Sequence, residues 1–483
     1  MRDAVVVAVD QGTSSSKAVA LDRGGAVVAT SAVGIGCATP RPGWVEQDPR
    51  ELLESVATCL KEVSAKVDGV VAAVGLSSQR ESALAWDART GEPLSPLLGW
   101  QDRRTAPAAA RLGDAARQVR ARSGLPIDPM FSALKFGWIL DEIDPDRRRA
   151  RAGTIRLGTV DAWLLDSLTG EFRIEAGNAS RTQLLNLATL VWDDDLLDIF
   201  GVPREALPPI VRSDAPSAPV AGLGVGFTAV LGDSHAALYG HGVRAPGSVK
   251  VTYGSGSSVM GLSEGEIPAA SGMVHTLGWL TDSPARAFEG NILSTGATLV
   301  WLAGIIGATP EELAAWAALA PDAGGVSLVP AFAGLGAPWW DATAQAVIAG
   351  FDQGTRREHL ARAALESIPH QIEDVLQAAE RATGSAIDLV LADGGPARND
   401  LLMQLQADLS GRTVLRPENA MLSVTGAAHL AGVTAGVWDE TAVQALPRQR
   451  TSFRPTLDTG SRATRRSNWA AAVRRARGEE QSS

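Results

Sequence analysis

Val5-Val6-Val7-Ala8-Val9-Asp10-Gln11-Gly12-Thr13-Ser14-Ser15-Ser16-Lys17-Ala18-Val19-Ala20-Leu21 decides the fold of this chain. An apolar run enters a tight Gly/Ser/Thr turn and leaves by a second apolar run, which is the pattern of a strand, a turn and a returning strand. The phrase recurs at Ser248-Val249-Lys250-Val251-Thr252-Tyr253-Gly254-Ser255-Gly256-Ser257-Ser258-Val259-Met260-Gly261-Leu262. Gly12 and Gly254 lie 242 residues apart in a chain of 483, so the spacing predicts two similar halves. Glycine in such turns lets backbone N–H groups approach and point at an anion, so each half offers a grip for phosphate. Only the first copy carries a carboxylate, Asp10, where a Mg²⁺ ion could be held. Two phosphate grips, one of them metal-bearing, outline an ATP-using enzyme.

The length exceeds what one hydrophobic core organises, so two or three domains are expected. Hydrophobic residues are 45% and charged residues 20%, the composition of an ordinary globular protein. A net charge of −10 argues against nucleic acid as a bulk partner, and ATP would need local loops and Mg²⁺ for its positive field. Cys37 and Cys59 are too few for a disulfide framework and read as small, partly buried hydrophobes in a reducing compartment. Strand pattern begins within three residues of the start and no apolar run reaches membrane-spanning length, so the expectation is a cytoplasmic protein without a membrane partner. The composition is compatible with a homo-oligomer.

A third strand is expected over 26–32. A helix follows, with Asp48 as its N-cap, Pro49 at the first helical position and Glu51 as a capping-box acid ahead of the stripe Leu52, Leu53, Val56, Leu60, Val63. Residues 69–76 read as a buried strand and 83–86 as the first arm of a hairpin turning at Arg89-Thr90-Gly91. This succession is an α/β unit with a mixed sheet. Residues 102–215 are helix-rich and read as an insertion, and 227–231 as a strand. The expected first domain is 1–242 and the second 243–447, with a long helix over 357–383 that Pro369 must kink or interrupt. The tail 448–483 is basic and reads as partly disordered, with a short helix near Trp469 and disorder over 479–483.

Three polar constellations sit at expected strand ends, where ligands of open α/β sheets collect. Gln79-Arg80-Glu81 can clamp the donors and acceptors of a polyhydroxy compound; on its own it also reads as a surface ion pair. Gly232-Asp233-Ser234 follows the strand 227–231, where Asp233 can serve as a general base for phosphoryl transfer or as a helix N-cap. Asp393-Gly394-Gly395-Pro396-Ala397-Arg398-Asn399 offers two glycines that admit a flat group such as adenine, or a plain loop. The six histidines show no metal-site spacing, and no Gly-x-x-x-x-Gly-Lys-Ser/Thr motif occurs.

Taken in order, these segments resemble the FGGY carbohydrate kinase family, and within it the glycerol kinases as a group. Other stretches that carry the resemblance are Gly43-Trp44-Val45-Glu46-Gln47-Asp48-Pro49, Trp100-Gln101-Asp102-Arg103-Arg104-Thr105 and Gly158-Thr159-Val160-Asp161-Ala162-Trp163-Leu164. Asn178-Ala179-Ser180-Arg181-Thr182 and Pro330-Ala331-Phe332-Ala333-Gly334-Leu335-Gly336-Ala337-Pro338 complete the set. The resemblance implies two actin-like (ribonuclease-H-like) domains with a nucleotide cleft between them, and ATP and Mg²⁺ as cofactors. It implies Asp10 near the metal, and Gly12, Thr13, Ser14, Ser15, Lys17, Gly254, Ser255, Gly296, Gly394, Gly395 and Asn399 at the nucleotide. Gln79, Arg80, Glu81, Trp100, Met130, Asp233 and Ser234 are implied at the acceptor, with Asp233 catalytic.

The implied reaction is phosphorylation of a hydroxyl of a small polyol or sugar, glycerol to glycerol 3-phosphate first. Where glycerol kinases carry a tyrosine ahead of the Phe-Ser of the insertion, this chain has Met130. Where they carry two glutamines after the catalytic aspartate, it has Ser234-His235. A tetritol or a xylulose-like ketose is therefore the rival acceptor, and Ala218–Gly226 stands in place of a sugar-phosphate regulatory loop. A nucleotide-operated binding protein of the actin and chaperone kind is the non-enzyme rival, which has no use for a polyol clamp.

Overall fold

The opening stretch forms the hairpin its sequence predicts: β1 (Ala4–Gln11) pairs antiparallel with β2 (Ser15–Leu21), and Asp10 faces Lys17 across the ladder. In the computed structural model, which describes residues 4–479, three more strands complete this sheet. They are β3 (Val27–Gly34), β4 (Val70–Ser78) and β5 (Phe227–Gly232), in the order β5-β4-β1-β2-β3. β4 and β5 run parallel to β1 and β3 runs antiparallel to β2, which makes the sheet mixed.

The unbroken apolar run of β1 needs cover on both faces, as central parallel strands do. Val5, Val7 and Val9 share a core with Leu52, Val56, Leu60 and Val63 of the helix Pro49–Ala65. Val6 points the other way, toward Gly432 of the helix Leu422–Thr434. Asp48 caps the first helix as expected, accepting from the Arg50 N–H at 2.8 Å. Glu51 does not close a capping box. Its carboxylate accepts from the Gly36 N–H at 2.9 Å and ties the helix to the end of β3. The hairpin turning at Arg89-Thr90-Gly91 forms, with the Asp87 N–H donating to the Glu92 carbonyl at 2.9 Å and the Leu94 N–H to the Ala85 carbonyl at 2.8 Å, and Leu84–Asp87 also pairs with Ile155–Gly158 of the insertion.

The second copy of the phrase forms β6 (Ser248–Tyr253) and β7 (Ser257–Leu262), again an antiparallel hairpin. β8 (Val274–Leu280), β9 (Pro284–Ile292), β10 (Leu389–Gly394), β11 (Thr413–Pro417) and β12 (Arg450–Phe453) extend it to the order β8-β9-β7-β6-β10-β11-β12. Stripped of its edges, the run β9-β7-β6-β10-β11 repeats the order β3-β2-β1-β4-β5: a hairpin, a strand beside its second arm, and on the other side a strand parallel to the first arm followed by one parallel to that. A separate core of Val249, Val251, Tyr253, Ile368, Ile372, Val390 and Leu402 fills this half.

The described chain divides into two compact units. The first holds the residues up to Gly242 with His275–Ala287 and Met421–Pro447; the second holds Val243–Val274, Phe288–Ala420 and the residues from Arg448. The expected domain 243–447 is corrected by this division, because Met421–Pro447 contributes the helix that covers β1 and β4 in the first unit. The tail is also corrected. It supplies β12 and the helix Thr459–Ala476, whose Trp469, Ala472, Val473 and Ala476 are buried. Of the stretch 479–483, only Glu479 lies within the described residues.

Pro369 does not interrupt its helix, which runs unbroken over Arg357–Thr383. A proline has no N–H to give the Leu365 carbonyl. Burial of most residues from Ala361 to Ala379 holds the helix together despite that missing bond. Cys37 is exposed rather than partly buried, and Cys59 is buried. Among the described residues, no helix is long and apolar enough to cross a membrane.

Candidate active site

Strand register brings three of the expected segments to one edge. Gln11 of β1 sits beside Ser78 of β4, and Ser78 sits beside Gly232 of β5. The chain therefore leaves three parallel strands at one level, into Gly12-Thr13, Gln79-Arg80-Glu81 and Asp233-Ser234. This is the carboxyl edge of the first unit's sheet, where an α/β sheet places ligands.

Arg80 and Asp233 meet there. The Arg80 Nε donates to Asp233 Oδ1 at 3.1 Å, and the Arg80 guanidinium lies 3.5 Å from His235 Nε2. A Cβ on Gly232 would stand 2.6 Å from Arg80 Cγ, so only glycine admits this side chain across the end of β5. Asp233 is the first residue of the helix Asp233–Gly240 and Gly232 is its N-cap, so the aspartate is not the cap. An acid in a first turn sits in the favourable field of the helix. Its side chain keeps 39% exposure while that of Arg80 keeps 8%, so the carboxylate is the group left open to a ligand.

Glu81 is held from three directions. Arg181 Nε donates to Glu81 Oε1 at 2.6 Å, and Arg80 Nε lies 3.9 Å from the same oxygen. The Glu81 backbone carbonyl accepts from Ser132 Oγ at 3.0 Å and from Lys135 Nζ at 3.1 Å. Lys135 also donates to the carbonyl of Met130, whose side chain is half-buried. Burial pushes the Lys135 ammonium down to about 7, against the pull of Glu81, Asp102 and Asp128.

Gln79 is buried and plays a different part from the clamp role expected of it. Its amide donates to Gln11 Oε1 at 3.1 Å and Gln47 Oε1 at 2.9 Å, and its carbonyl accepts from Ser82 Oγ at 3.0 Å. Gln47 in turn donates to the Thr13 carbonyl at 2.8 Å, and Trp100 Nε1 donates to Thr13 Oγ1 at 3.1 Å. This amide chain ties the turn at Gly12-Thr13 to the segment Gln79-Arg80-Glu81. Trp100 keeps 38% exposure, unusual for a tryptophan, and offers an open indole surface beside Thr13.

Asp10 accepts from Ser77 Oγ at 2.6 Å. Burial pushes its carboxyl up to about 6, the Ser77 bond and Lys17 pull it down, and the nearby Asp233 raises it further. Oxygen ligands and neighbouring carboxylates suit a hard divalent cation, so the residues present fit Mg²⁺. Lys17 is exposed on β2, and Ser14 is exposed at the turn, which Gly12 N–H closes onto the Ser15 carbonyl at 3.0 Å.

In the second unit the turn 254–256 meets the other expected nucleotide residues. Tyr253 pairs with Gly394, and the N–H groups of Gly296 and Ala297 donate to the carbonyls of Gly254 and Ser255, both at 3.0 Å. Gly394 has φ +94°, and a Cβ on it would lie 2.0 Å from the Tyr253 carbonyl oxygen. Asn399 caps the helix Asp400–Ser410, accepting from the Leu402 N–H at 3.1 Å. The ends of β10 and β11 border a hollow of about 330 Å³ lined by Asp393, Gly394, Arg398, Arg416 and Glu418.

Sequence reasoning assigned no site role to Lys135, Arg181 or Ser132, and singled out His235 only as a departure from the glycerol kinase pattern. A signal for Lys135 was present: a lysine within the apolar helix 133–140, on the face that packs inward. The motif 100–105 also serves the scaffold. Arg104 is buried between Trp44 (3.7 Å) and Trp138 (4.6 Å) and pairs with Asp102 and Glu46.

The N-terminal domain model of the FGGY family of carbohydrate kinases matches residues 5–227, and its C-terminal domain model matches residues 249–435. A glycerol kinase of Citrifermentans bemidjiense is 41% identical over 491 residues, covering 98% of this chain and 99% of its own. A Plasmodium falciparum glycerol kinase solved with ADP superposes with a TM-score of 0.93 at 27% identity, covering 98% of both chains. A gluconate kinase from Lactobacillus acidophilus superposes at 0.89 with 21% identity and the same coverage, a likeness of fold.

Proposed function

The chain belongs to the FGGY family of carbohydrate kinases, and from that premise we propose that it phosphorylates glycerol with ATP, using Asp233 as the general base. Relatives near 41% identity over almost the whole chain carry the name glycerol kinase, which supports glycerol as the acceptor. The observation that carries the reading is the paired clamp at the sheet edge: Asp233 held at 3.1 Å by Arg80, with Glu81 fixed next to it in sequence.

Arg80 and Glu81 bind the hydroxyls of the polyol, and Trp100 and Met130 border it with apolar surface. Asp233 accepts the proton of one hydroxyl. The new O–P bond forms on that oxygen as the bond between the γ-phosphorus and the bridging oxygen breaks, and ADP leaves with the electron pair. The turns at Gly12–Ser15 and Gly254–Gly256, with Lys17, Gly296, Gly394, Gly395 and Asn399, hold the triphosphate and nucleoside. Asp10 would hold Mg²⁺, which when bound neutralises phosphate charge. Positioning and charge supply most of the rate in such a transfer, so the rigid amide chain from Gln79 to Thr13 has a direct use.

Met130, Ser234 and His235 favour a second reading, a tetritol or ketose as acceptor: the Met130 carbonyl shares the Lys135 ammonium with the Glu81 carbonyl, the Ser234 N–H donates to Asp233 Oδ1, and His235 Nε2 lies 3.5 Å from the Arg80 guanidinium. A coupled assay of ADP release with ATP, Mg²⁺ and a panel of C3 to C6 polyols and ketoses tests both. Glycerol should give the highest kcat/KM. A larger acceptor in first place would select the second reading, and no turnover on any of the panel would reject the kinase assignment.

A further inference from the structure

Glu81 stands in a backbone conformation that a glutamate rarely adopts. Its φ is +60°, and the Ser82 N–H donates to the Arg80 carbonyl at 2.7 Å around it, so Glu81 is the central residue of a γ-turn of the positive-φ kind. Such a conformation persists only where the surroundings over-determine it. Here the surroundings are two buried cations from the insertion. Lys135, on the helix Ser132–Ile143, and Arg181, just after the short helix Ala176–Ser180, are both fully buried.

Burying a lysine and an arginine is costly unless each has a specific partner. Lys135 Nζ takes the Glu81 carbonyl at 3.1 Å and the Met130 carbonyl, fixing the turn's backbone. Arg181 takes the Glu81 carboxylate at 2.6 Å, with its guanidinium over the Phe131 ring at 5.2 Å from the centroid. Backbone and side chain of one residue are thus gripped by two separate cations. A purely structural ion pair needs one.

We propose that Lys135 and Arg181 are positioning residues of the acceptor clamp, acting through Glu81: Lys135 locks its γ-turn and Arg181 aims its carboxylate at the polyol. The inference rests on the reading of Glu81 as an acceptor ligand. It assigns the helical insertion a part in acceptor affinity and none in nucleotide affinity. Arg181 acts on the carboxylate alone, while Lys135 holds the Glu81 and Met130 carbonyls together, so loss of either cation raises the acceptor KM chiefly through Glu81.

A double-mutant cycle on the full chain tests this, with glycerol as the probe, or the best polyol of the panel if glycerol is poor. Arg181→Lys and Lys135→Gln are each made alone and again in a Glu81→Ala background. In the wild-type background each should raise the polyol KM at least tenfold, with the ATP KM within twofold. In the Glu81→Ala background each should change kcat/KM less than twofold, because the carboxylate that both serve to position is gone even though the backbone carbonyl gripped by Lys135 remains. Equal losses in both backgrounds would overturn the proposal, as would polyol and ATP KM rising together. Lys135→Arg, which keeps a donor and the charge, should recover part of the polyol KM and covers the case where Lys135→Gln fails to fold; no recovery would count against the proposal. Wild-type enzyme inactive on the whole panel would instead remove the reading of the site itself.

Discussion

The side chains at the end of β4 and β5 divide into those a ligand can reach and those that set them in place. Asp233 is of the first kind, and replacing it by asparagine keeps its size while removing the carboxylate we propose as the proton acceptor. Asp233→Asn should lower kcat by about 10²–10⁴-fold; calorimetry should find ATP binding unchanged. Retained turnover would mean that the hydroxyl loses its proton elsewhere. Asp10 gives a prediction about stability. Its carboxyl titrates near 3.8 when free and at about 6 in the fold. Between those values the folded chain holds more protons, so the group's contribution is full below 3.8 and lost as pH rises through 6. At pH 7.5, Asp10→Asn should therefore stabilise the protein by about 1–3 kcal/mol while abolishing Mg²⁺-dependent activity, and urea unfolding should show the gain vanish near pH 4. A variant less stable at pH 7.5 would refute the idea that the site keeps a charge against its burial cost. Arg80, Glu81 and Asp233 were legible in the sequence because they cluster just past apolar runs. Arg181 was not, and Lys135 showed only as a lone lysine in an apolar helix, since they reach Glu81 across 100 and 54 residues of chain and only tertiary packing brings them there.

Secondary structure was read best where two signals agreed. The helix Pro49–Ala65 has its cap, its proline and its apolar stripe in register, and the strands at the two Gly/Ser turns pair a valine-rich run with the punctuation of a tight turn. The last helix shows why one signal can mislead. Its many arginines read as a solvated tail, yet Trp469, Ala472, Val473 and Ala476 recur at the spacing of a buried stripe. The arginines find acids on the helix Arg357–Thr383: Arg465 pairs with Glu366 at 3.1 Å, and Arg466 with Asp374. Trp469 stacks on His370 at 5.1 Å and donates to Asp374 at 2.8 Å. Trp469→Ala should cost about 3–5 kcal/mol, the usual loss for a buried tryptophan, read as a lowered urea midpoint. A loss below 1 kcal/mol would show that the helix is held by its ion pairs alone. The same long helix carries Pro369 without a break, a case in which packing overrides a local preference that sequence reasoning weighted too heavily.

At the scale of the molecule, the repeated phrase foretold the repeated sheet, and β3-β2-β1-β4-β5 and its counterpart share one topology. What the sequence did not reveal is the path of the chain between the two units. Met421–Pro447 returns to the first unit after most of the second has been traced, and the residues from Arg448 go back again. A fragment ending at Gly242 therefore lacks the helix Leu422–Thr434, one wall of its own core. Expressed alone, residues 1–242 should be poorly soluble and bind a dye such as ANS, and supplying residues 243–483 in trans should relieve both. A soluble, well-ordered 1–242 fragment would show that the wall is dispensable. During translation the same layout imposes an order of events. The face of β1 and β4 waits bare until nearly nine-tenths of the polypeptide has left the ribosome, so the unit made first is finished almost last, and shielding of nascent chains becomes part of how this enzyme is made.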